Sequence, residues 1–292
     1  MSDQLKSIQT IGIIGLGLIG TSFGMALKRK HPHIKILGVT RSKKSGTAAL
    51  QKKAVDEIVP AVSDLTCRTG LIVLATPIRA TMALLPLIGK LAQKLILVTD
   101  TGSTKMQICA IAGNLPSHVS FIGGHPMAGK ETAGAKNADP NLFMKRPWIF
   151  THEGDEKNVE LTLMETVVMA IGAVPIRMTA ADHDRIVAII SHLPFVLSAL
   201  LMETAAEHIS RHALERLAGS GFRDVTRLAG GNPIMHADIL RTNKKNILSS
   251  LGQFEQALSA LKTDIALEHW PAIEEKLKTM QQARISWERS QL

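Results

Sequence analysis

The sequence contains no tyrosine, and aromatic residues make up only 3% of its 292 positions. Proteins that grip single-stranded nucleic acid stack bases on such rings, so a nucleic-acid partner is not expected. The formal charge is nonetheless +9, from 34 Lys and Arg against 25 Asp and Glu. These cations are spread along the chain, which suits small ligands bearing phosphate or carboxylate groups. Cysteine is equally scarce. Cys67 and Cys109 form no C-x-x-C and no metal-like spacing, so no disulfide framework and no metal site are expected. A reducing cytoplasm is the expected compartment. The first residues lack the basic and apolar regions of a secretion signal. Long apolar runs are missing too. An uncharged apolar run, residues 186–202, is interrupted by Ser191, His192, Pro194 and Ser198, and reads as a buried core helix rather than a membrane span.

What is present is ordinary globular composition, 45% hydrophobic and 20% charged, with length enough for two domains. A short apolar run at residues 11–14 is followed by Gly15-Leu16-Gly17-Leu18-Ile19-Gly20 and a helical pattern over 21–30. This is a G-x-G-x-x-G in the strand–turn–helix setting of a dinucleotide-binding (Rossmann) fold. Gly15 allows the tight turn, Gly17 lets backbone approach a pyrophosphate, and Gly20 lets helix pack on strand. The helix N-terminus offers N–H groups to the phosphates. A second strand, 34–40, leads to Arg41, Ser42 and Lys43, with no carboxylate to hold a ribose 2′-hydroxyl. A missing acid and added cations point to a 2′-phosphate, so NADP is favoured over NAD.

The α/β alternation continues with strands over 71–75, 95–99 and 119–122, helical patterns over 80–90 and 106–112, and later strands over 148–151 and 174–178. In a parallel sheet, the loops after these strands share one edge. Gly15–Gly20, Thr76 with Pro77, Ser103 and His125 should therefore meet in one crevice. His125 sits in Gly123-Gly-His-Pro-Met-Ala-Gly129, which reads as a pinned loop able to present an imidazole, or as a tight turn with a satisfied histidine.

From Thr179 onward the pattern is helical. Thr179 with Asp182 reads as a capping box, and the domain boundary is placed there, giving residues 1–178 and 179–292. Helices are expected near 181–209, 211–218, 233–251 and 253–289, with a kink at Pro194. His208 and His212 have a metal-capable spacing, but lack further ligands and read as a solvated face. The Gly/Ser-rich break at 219–227 carries Asp224 and Arg227. Arg227 could present a bidentate fork to a carboxylate or pair with surface acids.

The glycine motif, Asp100-Thr-Gly-Ser-Thr-Lys105, the His125 segment, His183-Asp184, Ser191-His-Leu-Pro194 and Gly221-Phe-Arg-Asp-Val-Thr-Arg227 together resemble the prephenate/arogenate dehydrogenase family, in order and spacing, from about Ile11 to Trp287. The resemblance implies a Rossmann-type α/β N-terminal domain with a largely parallel sheet and an all-α C-terminal dimerisation domain, hence a homodimer. It implies NADP-linked oxidative decarboxylation of a cyclohexadienyl dicarboxylate, prephenate or arogenate, in tyrosine biosynthesis. His125 matches the residue that takes the ring hydroxyl proton, Ser103 the serine that orients it, and Arg227 the arginine that binds a substrate carboxylate. Glu131, Asp184, His192 and Asp224 join Arg227 as expected substrate-binding residues. The unperturbed imidazole pKa of about 6.5 suits the base. The chain departs from some members at Lys130, Phe195 and His236, near the expected substrate side chain. Two other readings are a β-hydroxyacid dehydrogenase, with Lys244 or Lys245 catalytic, and a non-catalytic NADP-binding dimer.

Overall fold

The computed structural model describes residues 8–130, 132–152 and 158–290. By internal contacts the chain forms two compact units, residues 1–244 and 245–292.

The first unit is built on an eight-stranded sheet in the order β3-β2-β1-β4-β5-β6-β7-β8. Its elements are β1 (Thr10–Ile14), α1 (Leu18–Lys30), β2 (Lys35–Val39), α2 (Lys43–Gln51), β3 (Glu57–Ile58), α3 (Val62–Arg68), β4 (Leu71–Leu74), α4 (Ile78–Leu91), β5 (Ile96–Asp100), α5 (Met106–Ala112), β6 (Val119–Pro126), β7 (Pro147–Thr151), α6 (Val159–Ala170) and β8 (Val174–Met178). All pairs are parallel except β6 with β7. The central strands are near-continuous Ile, Val and Leu because helices cover both faces; β4 and β5 are buried at every position. Two elements carried no sequence signal: β3 is two residues long, and α3 is short and polar. Phe23, Phe143, Trp148 and Phe150 place four of the chain's ten aromatic residues in the core.

The Gly123–Pro126 segment is strand, not loop. It prolongs β6 beyond its pairing with β5 and pairs antiparallel with β7, His125 opposite Ile149. Its glycines serve close approach rather than a turn. A Cβ on Gly123 would lie 2.2 Å from Thr151 Oγ1, and one on Gly124 would lie 2.5 Å from the Asp100 carbonyl oxygen.

Beyond β8, Ala180–His208 is one element of 29 residues: α7 (Ala180–Val187), a π-helical turn (Ala188–His192) and α8 (Leu193–His208). Thr179 caps it, accepting from Asp182 N. Pro194 has no N–H to return to the carbonyl four residues earlier, and the helix widens there instead of breaking. The expectation of a buried core helix does not hold. Only 28% of its most apolar window is buried, and Ile189, Ile190, Leu200 and Leu201 are exposed. By length and composition it is apolar enough to cross a membrane.

After α9 (Arg211–Leu217), the expected break at 219–227 is largely helix α10 (Ser220–Thr226), followed by a 3₁₀ turn (Arg227–Gly230). Buried Ser198 on α8 accepts from Ala229 N and ties this turn down. Then comes α11 (Pro233–Thr242), whose cap Asn232 accepts from Ile234 N and Met235 N. The chain breaks at Asn243 rather than at Gly252, which lies inside α12 (Lys244–Ala266); α13 (Trp270–Arg289) completes the second unit. One glycine costs a helix only about 1 kcal/mol, so Gly252 was too weak a signal for a break.

Candidate active site

The carboxyl ends of β1, β4, β5 and β6 share one edge, and the strand order reverses between β1 and β4, where open α/β sheets bind ligands. Gly15 follows β1 with φ +98°, a conformation that a side chain would strain; its Cβ would also lie 2.3 Å from the Ala75 carbonyl oxygen. Gly20 faces the same loop, its Cβ position 2.1 Å from Gly15 O. Gly17 differs: a Cβ there would meet nothing within 4 Å. It caps α1, whose first turn holds no acid and whose N-terminus no side chain caps. Two glycines thus weld strand to helix, and the third leaves a helix N-terminus open to an anion. A pyrophosphate fits this cradle, which Leu18 and Ile19 extend.

Thr76 and Pro77 follow β4 beside this loop, Thr76 Oγ1 lying 2.9 Å from Thr81 Oγ1. Beyond β2, Arg41 and Lys43 are exposed, and Ser42 caps α2 by accepting from Ser45 N. No carboxylate occurs between Val39 and Gly46.

Beside the nucleotide edge lies a cleft of about 460 Å³, walled by Ser103, His125, Arg227 and the 126–130 segment, with Ile190 and Ser191 from the π turn. Phe195 and His236 close one side as a parallel stack, ring centroids 4.2 Å apart. These two departures from the family pattern therefore face each other. Lys130 also lines the cleft.

The floor of the cleft is rigid. Fully buried Lys105 pairs with fully buried Asp100 and donates to the Gly124 carbonyl oxygen at 2.7 Å. Asp100 accepts from Gly102 N at 2.7 Å and Gly124 N at 3.0 Å. One ion pair thus clamps the Ser103 loop to the strand that carries His125. Thr104 meets Thr242 on α11, hydroxyl to hydroxyl, at 2.8 Å.

His125 is 8% exposed, and its Nδ1 lies 2.8 Å from Nε2 of buried His183. Its other nitrogen, Nε2, remains for the cleft. Burial, then the neighbouring His183, Lys105 and His192, holds the His125 pKa well below the usual 6.5. The ring is therefore neutral at pH 7 by a wider margin than an unperturbed histidine would be. Burial likewise lowers His183 and takes His192 down to about 4.

Three expected substrate contacts stand elsewhere. Asp184 is fully buried, and its carboxylate is occupied by His183, Lys105 N and Met106 N, so it backs the site rather than lining it. His192 is 1% exposed and is not among the cleft-lining residues; its Nδ1 lies 3.1 Å from Asn243 Nδ2. Asp224 is exposed on α10 and is not among the cleft-lining residues. Glu131 lies outside the described residues. His183, Lys105 and Asn243 were not foreseen as site residues; only the adjacency of His183 to Asp184 hinted at the first. Lys244 does not line the cleft, and among the described residues no cluster of His, Cys, Asp or Glu could hold a metal ion.

Comparison with known proteins supports one family throughout. The family described as prephenate dehydrogenase, nucleotide-binding domain, matches residues 23–177, and the prephenate dehydrogenase dimerization domain matches 179–279. The prephenate dehydrogenase of Bacillus subtilis is 32% identical over 91% of this chain and 72% of its own length. The crystal structure of Synechocystis arogenate dehydrogenase superposes with a TM-score of 0.80 at 34% identity, covering 95% of this chain and 99% of that one. Prephenate dehydrogenase from A. aeolicus, in complex with hydroxyphenyl propionate and NAD+, gives a TM-score of 0.87 at 29% identity over 96% and 98%. A glycine cradle for a nicotinamide nucleotide, an adjoining cleft with a neutral histidine, and two matched domains thus agree: the chain belongs to the prephenate/arogenate dehydrogenase family of oxidoreductases in tyrosine biosynthesis.

Proposed function

We propose that this enzyme carries out an NADP-linked oxidative decarboxylation, of prephenate to 4-hydroxyphenylpyruvate or of arogenate to tyrosine, with His125 as the base. The observation that carries this reading is a neutral, buried imidazole whose Nδ1 is engaged and whose Nε2 is left to a cleft shared with Ser103 and Arg227. Nε2 of His125 takes the proton of the ring C4 hydroxyl as C4 becomes a carbonyl carbon. Loss of the ring carboxylate as CO2 then returns the electron pair to that oxygen, and His125 gives its proton back to the resulting phenolate. Atoms and charge balance without a metal. When bound, the nicotinamide nucleotide supplies the hydride acceptor.

The remaining roles follow from chemistry. Ser103, half-buried on the clamped loop, orients the ring hydroxyl. Arg227 offers a guanidinium fork to a substrate carboxylate. Gly15, Gly17, Leu18, Ile19 and Gly20 would hold the pyrophosphate, with Thr76 and Pro77 flanking it. Arg41, Ser42 and Lys43 would hold a 2′-phosphate, since a free carboxylate is missing there and the N-terminus of α2 adds favourable N–H groups. We further propose a cytoplasmic homodimer with domains 1–178 and 179–292.

Steady-state kinetics with prephenate and arogenate against NAD+ and NADP+ test the whole reading. The expected result is a kcat/KM at least about tenfold higher with NADP+, which corresponds to about 1.4 kcal/mol. Equal values with both nucleotides would refute the reading of Arg41, Ser42 and Lys43. Turnover of neither substrate would refute the reaction.

A further inference from the structure

Behind His125 stand two residues that the reaction as written does not use. His183 Nε2 lies 2.8 Å from His125 Nδ1, and His183 Nδ1 lies 2.8 Å from Asp184 Oδ1. All three side chains are buried. We propose that Asp184, through His183, fixes the tautomer of His125 so that its cleft-facing Nε2 is always a proton acceptor. This inference rests on the reading of His125 as the base.

The direction of every hydrogen bond in the row follows from the carboxylate. Asp184 already accepts from Lys105 N at 2.7 Å and Met106 N at 2.9 Å, which keeps it an acceptor. His183 Nδ1 must therefore carry a hydrogen and donate. A neutral imidazole has one N–H, so His183 Nε2 holds a lone pair and accepts. The partner at 2.8 Å, His125 Nδ1, must then be the N–H. The lone pair of His125 is thereby confined to Nε2. A neutral imidazole with no such partner distributes its hydrogen between both nitrogens, and the fraction carrying it on Nε2 cannot take a proton there.

The surroundings leave the row intact. Lys105, the nearest cation, is committed to Asp100 and the Gly124 carbonyl oxygen. Asn243 Nδ2 donates to the Asp184 backbone oxygen at 2.7 Å and contacts His192 Nδ1 at 3.1 Å, which holds the start of the helix and His192 in place. Burial keeps His183 neutral, with Asp184 opposing that effect. When His125 becomes an imidazolium during turnover, the same row faces its new charge with a carboxylate beyond one intervening ring. His183 and Asp184 are thus positioning residues. Neither lines the cleft.

The tautomer is directly observable. Long-range ¹H–¹⁵N correlation spectra of the ¹⁵N-histidine-labelled full-length protein at pH 7.5, with the His125 signals assigned by their loss in His125→Asn, should show a hydrogen on Nδ1 and a bare Nε2. A hydrogen on Nε2 would overturn the proposal. Two variants give the kinetic counterpart. His183→Phe keeps the ring-filled volume but offers no acceptor, and should lower kcat by about 100-fold, less than the roughly 10⁴-fold that a wrong tautomer costs a Ser-His-Asp triad. KM and nucleotide affinity should change less than about threefold. His183→Gln presents an amide oxygen to accept and an NH2 to donate, and should recover to within about tenfold of the parent. If Phe is tolerated within about threefold, or Gln is no better than Phe, the pair merely fills space. Retained turnover in His125→Asn would instead fail the base itself, whichever tautomer the spectra report.

Discussion

A histidine serves as a base only if its ring is neutral and its exposed nitrogen is bare. His125 meets the first condition through burial, which lowers its pKa well below 6.5 with His183, Lys105 and His192 adding to the effect. The sign for catalysis follows. A base must be unprotonated, so kcat/KM should hold level as pH falls through 6.5 and decline only below it. A pH–rate profile whose acid limb is centred at or above 6.5 would contradict a base in this environment. His125→Asn should cut kcat by about 10²–10⁴-fold, the usual share of a positioned base, while nucleotide affinity measured by fluorescence titration stays within about twofold. For Arg227→Ala, loss of a charged hydrogen bond to carboxylate, about 1.5–3 kcal/mol, should raise the substrate KM by roughly 10–100-fold. The position of His125 was legible because glycines and a proline around one histidine is an uncommon local pattern. The positions of Asp184 and His192 were not. Sequence places a residue on an element, but only packing decides whether it faces the cleft or the core, and here the α5 N–H groups and His183 claim the Asp184 carboxylate.

Elements with a strong local period were read well, and those set by tertiary contact were not. The strand–turn–helix around Gly15–Gly20 and the buried strands β4 and β5 follow from apolar runs bounded by glycine and polar turns. The extension of β6 through Pro126 could not be read, because its partner β7 begins 21 residues after β6 ends and the glycines mimic a loop. Those glycines yield an element-scale prediction. In Gly123→Ala the new methyl would stand 2.2 Å from Thr151 Oγ1 and 3.2 Å from Cys109 Sγ, so β6 or β7 must shift. Overpacking of this kind costs about 1–3 kcal/mol, which should appear as a lower urea midpoint at unchanged m-value. Because His125 lies two residues on, kcat should fall as well. Gly17→Ala is the control: a Cβ there meets nothing within 4 Å, so stability should change by less than about 0.5 kcal/mol.

At the scale of the whole molecule, the distribution of apolar surface decides whether one chain suffices. Ala180–His208 is long and apolar enough to cross a membrane, yet leaves Ile189, Ile190, Leu200 and Leu201 exposed. In the second unit, α13 buries none of its residues, although Ile273, Leu277, Met280 and Trp287 recur at spacings of four, three and seven and so share one face. Leu277, Met280 and Trp287 are each more than half exposed. An isolated helix gains its stability in water chiefly by packing an amphipathic face, so this stripe calls for a partner surface. The chain carries the family's dimerisation domain over 179–279, which contains Leu277 and stops one residue short of Met280. The homodimer proposed above would supply a partner of matching chemistry, since a twofold interface sets a patch against itself. Placing two like charges on the stripe should then act twice across the axis. Leu277→Glu combined with Met280→Glu is expected to halve the mass measured by light scattering at micromolar concentration. It should also lower the thermal midpoint, since association stabilises by mass action. A variant that keeps the parent's mass would remove α13 from the interface and leave the exposed face of Ala180–His208 as the surface to mutate next.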